Sequence, residues 1–296
     1  MPKTSLRERL VSDSFLLLAA IIWGGGFVAQ RMASFHLGFN AFNGIRFLLG
    51  GLVLLPFIIR RARSRVGFGW VLLAGCVLFG ASSLQQIGIG TTSASTAGFI
   101  TGTYVVLVPI LLALFWRQRT SAVTWIAVLV ALAGTYLLSS GGLGLSPSTG
   151  SLILLAGSVM WALHVIVVGL AVQKMDVFVF SAGQFLVCGV IHLVMSMFIE
   201  PVTLPALRAS WMPLLYAGLL SVALGFTFQA VGQKKAPSSD AALILSLEAV
   251  FAAIAGVVLL NESLNTVQVI GCIIILAAIL LAQLFVLKNN RNAAAQ

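Results

Sequence analysis

The chain has 296 residues, of which 60% are hydrophobic and only 8% charged. A soluble protein of this size needs far more charge to cover its surface, so the solvent on its outside must be lipid. The net charge of +10 suggests nucleic acid at first sight, but its distribution gives it another origin.

A spanning helix needs roughly 20 mostly apolar residues. In chain order, with Gly, Pro and charge as punctuation, such runs fall at 14–34, 40–60, 68–89, 93–115, 121–140, 150–171, 178–198, 211–232, 239–260 and 265–287. The first follows a basic stretch, as a signal peptide would. It is too long for one and lacks a small-x-small cleavage site close behind it, so it reads as a retained span. The gaps are short, the longest near 199–210, and leave no room for a soluble domain. The expected fold is an all-α polytopic membrane protein with ten transmembrane helices. Cys76, Cys188 and Cys272 each sit in an apolar run without a C-x-x-C pair, which reads as packing.

Basic residues gather in cytoplasmic loops. Lys3, Arg7 and Arg9 precede the first span, and Arg60, Arg61, Arg63 and Arg65 lie between the second and third. Arg117 and Arg119 follow the fourth, Lys174 the sixth, Lys234 and Lys235 the eighth, and Lys288 and Arg291 the tenth. All of these fall on one side of a ten-span topology; only Arg31, Arg46 and Arg208 lie elsewhere. The N and C termini are therefore expected in the cytoplasm, in a plasma (inner) membrane, and the high charge is topological rather than a sign of nucleic-acid binding.

The two halves of the chain resemble each other. In one register Trp23 aligns with Trp161, Arg46-Phe47-Leu48 with Gln184-Phe185-Leu186, and Gly51 with Gly189. After a short insertion in the loop before span eight, a second register aligns Gln85 with Gln229, Gly88 with Gly232, Ser95 with Ser239 and Val106 with Val250. The expected units are a first five-helix repeat over 1–140 and a second over 141–296. Five is odd, so the second repeat must enter the membrane upside down relative to the first. Inverted repeats are a transporter signature, with the substrate site near the midplane between the halves.

Four stretches carry a resemblance to a known family. They are Ile21 to Phe27 (IIWGGGF), Arg46 to Pro56 (RFLLGGLVLLP), Gly90 to Gly102 (GTTSASTAGFITG) and Ser246 to Leu264 (SLEAVFAAIAGVVLLNESL). With these the sequence resembles the drug/metabolite transporter superfamily, in particular its EamA-type ten-span exporters. Asn261 stands where that family usually has glycine, and Ala249 where proline is common; Pro109 supplies a proline near the equivalent place in the other half. The resemblance implies a central cavity lined by spans one to four and six to nine, with five and ten peripheral. It also implies transport, often export, of amino acids, related metabolites or drugs.

Ionisable groups inside a membrane are costly and face an interior or a cavity. Glu248 lies mid-span with no other charge in its run: it either binds a proton or a cationic group, or is a structural acceptor. Arg46 either holds a substrate carboxylate through its fork or snorkels and ties helices together; its place near a span end favours the structural role. Trp23 and Trp161 hold equivalent mid-span places, as cavity walls or as packing. Trp23, Phe27 and Gln30 share one helix face. Gln85 and Gln229 repeat each other, with Ser82 and Gln86 beside Gln85; they bond between helices or bind ligand. Thr101 and Tyr104 make a similar face. His164, one turn beyond Trp161, reads more as a helix contact than as a proton relay, and His192 more so. Gly24, Gly25 and Gly26 are not a phosphate loop, since no strand precedes them and no lysine follows; they permit a bend or a close helix approach. Gly98 and Gly102 form a G-x-x-x-G that reads as tight packing.

The leading class is a secondary-active transporter, an exporter of small metabolites such as amino acids or related amphiphilic compounds, working by alternating access. A multidrug exporter of cationic amphiphiles is the alternative within that class. A channel would want a ring of like groups, and an enzyme a nucleophile–base pair or metal cluster, which no motif here supplies. The expected partners are the lipid bilayer and a small-molecule substrate, with protons as one option for coupling. No cofactor is expected, and the chain is expected as a monomer or weak homodimer.

Overall fold

The computed structural model describes residues 6–58, 67–118, 121–140, 148–200 and 202–294. Lys3, Arg60, Arg61, Arg63, Arg65 and Arg119 of the expected basic clusters lie outside these residues, as does the segment that follows the expected repeat boundary at 140. In chain order the helices are α1 (Leu6–Ala33), α2 (Phe39–Ile58), α3 (Phe68–Ile89), α4 (Ala94–Gly102), α5 (Tyr104–Trp116), α6 (Ala122–Ser140), α7 (Thr149–Ala171), α8 (Val177–Ile199), α9 (Leu204–Ala209) and α10 (Trp211–Leu215). A π-helical segment (Tyr216–Phe226) follows, then α11 (Thr227–Gln233), α12 (Ser238–Leu245), α13 (Glu248–Leu260) and α14 (Thr266–Ala294).

Among the described residues, 8 segments are long and apolar enough to cross a membrane: Arg7–Ala33, Phe39–Ile58, Phe68–Ile89, Ala94–Trp116, Thr149–Ala171, Val177–Ile199, Trp211–Gln233 and Ser238–Leu260. Two shorter apolar stretches, Trp125–Gly134 and Thr266–Ala278, lie in α6 and α14, where the sequence places spans five and ten. The polarity of the molecule is inside out. Phe198, Val258 and Leu114 stand on the outer surface, while Asn43, His164, Gln184 and His192 are fully buried. Lipid accepts the apolar side chains, and the polar ones must find partners inside. Cys188 is buried, but Cys76 faces outward, so it is not the packing residue its apolar run suggests.

Spans four and nine are each broken into two half-helices, α4/α5 and α12/α13, where the sequence reads as continuous. The breaks are alike. At the first, the amide of Thr103 bonds to the Ile100 carbonyl, whose oxygen also accepts the Thr103 hydroxyl at 2.6 Å. At the second, the Leu247 amide bonds to the Ile244 carbonyl, and the Ser246 hydroxyl turns back onto the Leu243 carbonyl at 2.7 Å. These tighter bonds replace part of the α-helical ladder and turn the chain. Each second half-helix ends on a residue in the left-handed conformation, Arg117 (φ 51) and Asn261 (φ 54). Asn tolerates that conformation, which accounts for its standing at the usual glycine position.

The most extensive helix contacts join the two halves of the chain: α2 with α8, α3 with α7, α1 with α13, and α6 with α14. Glycines make these approaches possible. A Cβ on Gly44 would stand 2.9 Å from the Leu193 amide nitrogen, and one on Gly134 would stand 2.8 Å from the Gly271 carbonyl. Close backbone approach replaces the hydrophobic effect as the main glue between helices in lipid. Gly98 behaves as its motif predicts, since a Cβ there would press on Ala252 of α13.

Candidate functional site

Between the halves lies a cavity of about 30 Å³. A single water needs roughly 10–15 Å³ on that measure, so the space is small. Its walls come from α1 (Trp23, Phe27, Gln30), α2 (Arg46), α3 (Gln85) and the α4/α5 break (Thr101, Tyr104) in the first half. The second half supplies α7 (Trp161, Val165), the π segment (Ser221, Phe226), α11 (Gln229) and the α12/α13 break (Glu248). The structure thus brings Trp23, Phe27, Gln30, Arg46, Gln85, Thr101, Tyr104, Trp161, Gln229 and Glu248 together, and leaves Ser82, Gln86, His164 and His192 out of the lining.

His164 stands behind the wall. It is fully buried, and its Nε2 lies 2.9 Å from Gln184 Oε1 of α8. Its ring meets Trp161 and Phe226 edge-on. Span seven, α8, contributes no lining residue, contrary to the family expectation, and backs the cavity through Gln184 and Phe185. Val165, Ser221 and Phe226 line the cavity without having been singled out. In an apolar span a Val or Phe carries no polarity signal, and a lone Ser marks a face weakly because its hydroxyl can bond back to its own helix.

Arg46 does not snorkel. It is 2% exposed, and its Nε donates to Asn43 Oδ1 at 2.9 Å, within α2. Its guanidinium sits over the rings of Phe42 and Phe47, at 5.2 and 4.8 Å from their centroids. The end of α2 that should have released it to the surface is covered by the other half. The Glu200 carboxylate accepts the Ala41 amide at 2.8 Å and the Asn40 amide at 3.1 Å. Asn40 continues inward to His192, and His192 to Ser82, each at 3.0 Å.

Glu248 and Tyr104 are the first residues after their respective breaks, and they hold equivalent places in the second register of the repeat. The Tyr104 hydroxyl lies beside the Glu248 carboxyl. Apart from each other, neither the hydroxyl nor Glu248 Oε1 has a hydrogen-bond partner among the described residues. Both amide atoms of Gln229, Trp161 Nε1 and Thr101 Oγ1, all in lining residues, have none among them either. Buried polar atoms normally have partners, and a group of them converging on one cavity marks a place where a polar guest can bind. Gln85 lines the cavity, whereas Gln86 turns away and donates to the Gln30 backbone carbonyl at 3.0 Å.

The glycine triplet explains how the walls fit. A Cβ on Gly24 would collide with the α13 backbone at Phe251, one on Gly25 with the Tyr216 hydroxyl, and one on Gly26 would touch the Ser221 hydroxyl. Span one is thus seated between span nine and the π segment. The Trp23 indole donates to the Ser221 carbonyl at 3.1 Å, and the Tyr216 hydroxyl to the Ile22 carbonyl at 2.9 Å.

Polar ties between the halves lie at opposite ends of the molecule. At one end Glu262, just past α13, accepts the Ala94 amide at 3.2 Å and the Ser95 hydroxyl at the start of α4. At the other, Arg9 of α1 bonds Asp13 and reaches Asp240 in the first turn of α12 at 2.8 Å. Ser12 also donates to the Gly232 carbonyl at 2.6 Å there.

A polytopic helical membrane protein with broken spans around a central polar cavity is the architecture of a transporter. The chain belongs to the EamA-like transporter family, whose model matches residues 10–140 and 148–284. An uncharacterized transporter of Archaeoglobus fulgidus is 32% identical over 281 residues, covering 94% of this chain and 87% of that protein. The threonine/homoserine exporter RhtA of Escherichia coli is 25% identical over 291 residues, covering 93% of this chain and 92% of its own. A crystal structure of a protein 19% identical superposes with a TM-score of 0.76 over 95% of this chain and 98% of that one, which establishes the fold alone.

Proposed function

We propose that this membrane transporter is a secondary-active exporter of small zwitterionic metabolites, amino acids or close amphiphilic relatives, and that it works by alternating access. The observation that carries the reading is the pairing of Arg46 and Glu248. They are single ionisable groups from opposite halves of the chain, lining one buried cavity, and neither is in an ion pair among the described residues. An uncompensated buried charge is costly. A ligand with a carboxylate at one end and an ammonium at the other compensates both at once, with the Arg46 fork on the carboxylate and Glu248 on the ammonium. The broken spans support the reading, since discontinuous helices at the junction of two repeats are the usual setting of a transporter site. Export of threonine and homoserine by the relative in Escherichia coli is of the same chemical class.

In this reading α6 and α14 are spans five and ten. The repeats over 1–140 and 141–296 are inverted, and both termini face the cytoplasm of the plasma (inner) membrane. The two matched stretches of the family model support the division into two units, and the basic residues gathered on one side of the ten-span topology support the cytoplasmic termini. Binding energy that closes both halves on the cargo drives the exchange between states, and Glu248 is the group that takes up a proton when it has released an ammonium.

Export of a cationic amphiphile is the second reading, favoured by the aromatic walls Trp23, Phe27, Trp161 and Phe226. It leaves the Arg46 guanidinium facing a second cation without compensation, so the zwitterion is the better fit. The test is counterflow in proteoliposomes. Saturable exchange of a labelled small amino acid, inhibited by zwitterions and not by cationic amphiphiles, is expected. Ohmic currents without saturation would replace the transporter by a channel.

A further inference from the structure

Phe226 is apolar and carries no motif, yet it lines the cavity. Its ring lies 4.7 Å from Trp23 and 5.9 Å from Trp161, nearly parallel to the latter at 19°. It also meets Phe47 at 6.1 Å and Phe185 at 5.8 Å. One ring thus packs against α1, α2, α7 and α8, and it fills the apolar space that those four helices enclose beside the polar groups. It is also the last residue of the π segment. The repeat equivalent of this span, α3, is α-helical throughout, so among the described residues the π-helical backbone is confined to the half that carries Phe226. Such π segments mark functional positions because their wider turns aim side chains where an α-helix would not.

We propose that Phe226 is the specificity-determining residue of the cavity: its ring takes the room that a larger substrate side chain needs, and so restricts the cargo to zwitterions with small side chains. The proposal deepens the transport reading above and rests on it for the identity of the cargo, but not for the steric claim. Trp23 is less suited to set the limit. The Trp23 indole is tied by a hydrogen bond to the Ser221 carbonyl, whereas Phe226 is held by ring contacts alone. Truncating a buried Phe leaves space that its surroundings fill only in part.

The test separates the steric claim from the transport claim. In a full-length chain with Cys76, Cys188 and Cys272 replaced by alanine, Ser221→Cys places a thiol in the cavity wall. It is then labelled with a small methanethiosulfonate and with a bulky aromatic one. With Phe226 present the small reagent reacts faster, and Phe226→Ala is expected to narrow that preference by about tenfold or more, the scale on which one pocket group discriminates by size. Phe226→Leu gives an intermediate value and serves where the alanine variant does not reach the membrane. An unchanged ratio in Phe226→Leu and in any alanine variant recovered from the membrane overturns the proposal, whatever the cargo. In vesicles, Phe226→Ala is expected to extend exchange from alanine-sized to phenylalanine-sized amino acids. An unaltered size profile contradicts the proposal, while a wild-type chain that exchanges no zwitterion contradicts the transport reading and leaves the labelling ratio to decide this one.

Discussion

Tyr104 and Glu248 occupy the same place in the two halves: each is the first residue after the break in its span, and their polar ends lie side by side at the cavity. The repeat has therefore put a permanent hydroxyl on one side and an ionisable carboxyl on the other. In the proposed mechanism the carboxyl, not the hydroxyl, is the group that exchanges a proton.

Replacing Glu248 by Gln keeps the size of the side chain and removes its charge. Any pH dependence of exchange measured in vesicles is expected to flatten, with the protein still in the membrane. Tyr104→Phe, which removes one hydroxyl beside it, is expected to weaken exchange without altering the pH profile. A pH profile unchanged in Glu248→Gln would assign the carboxyl a structural role.

Arg46 offers a planar fork that Lys cannot reproduce. Arg46→Lys is expected to lower the affinity for a free carboxylate by about tenfold, since hydrogen bonds to charged groups are worth about 1.5–3 kcal/mol. Titration of the detergent-purified protein with a small amino acid checks this. Loss of the protein from the membrane, with no change in the affinity of what remains, would mark a purely structural arginine.

The ties at the two ends are expected to oppose each other. Glu262→Gln weakens the hold of α13 on the start of α4, and Asp240→Asn weakens the hold of Arg9 on α12. Each loss is worth about 1–3 kcal/mol and is expected to raise labelling of a cavity cysteine by an impermeant reagent, from opposite sides of the membrane. Labelling from the same side in both variants would contradict alternating access around this cavity.

Gly24 has no room for a side chain, since a Cβ would collide with the Phe251 Cβ and stand 2.7 Å from the Phe251 carbonyl carbon. Gly24→Ala is expected to cost about 1–3 kcal/mol through overpacking, seen as a lower melting temperature in detergent. Gly69 has open space around it, and Gly69→Ala serves as the control.

Much of the site was legible in the sequence because polar residues in an apolar span have few places to go. Gln30, Gln85, Thr101, Gln229 and Glu248 could be assigned to an interior by polarity and helical period alone. What was not legible depends on contacts made from elsewhere in the chain. Arg46 looks free to reach the interface until Glu200 and α8 are seen to cover the start of α2. The break in span nine has no proline to announce it and arises from Ser246 and its neighbours turning back on the preceding carbonyls. The π segment has no local signature either; its seat is the glycine triplet of span one, nearly two hundred residues away in sequence. Phe226 is one apolar residue in an apolar run, and only its ring contacts set it apart.

The claim that one cavity holds a zwitterion between Arg46 and Glu248 is tested most directly by binding of three ligands: a small amino acid, its amide and its N-acetyl derivative. The wild-type chain is expected to prefer the free amino acid over both. Arg46→Ala is expected to lose discrimination against the amide while keeping it against the N-acetyl form, and Glu248→Gln to do the reverse. Equal loss for all three ligands in both variants, or no change in either, would contradict the assignment.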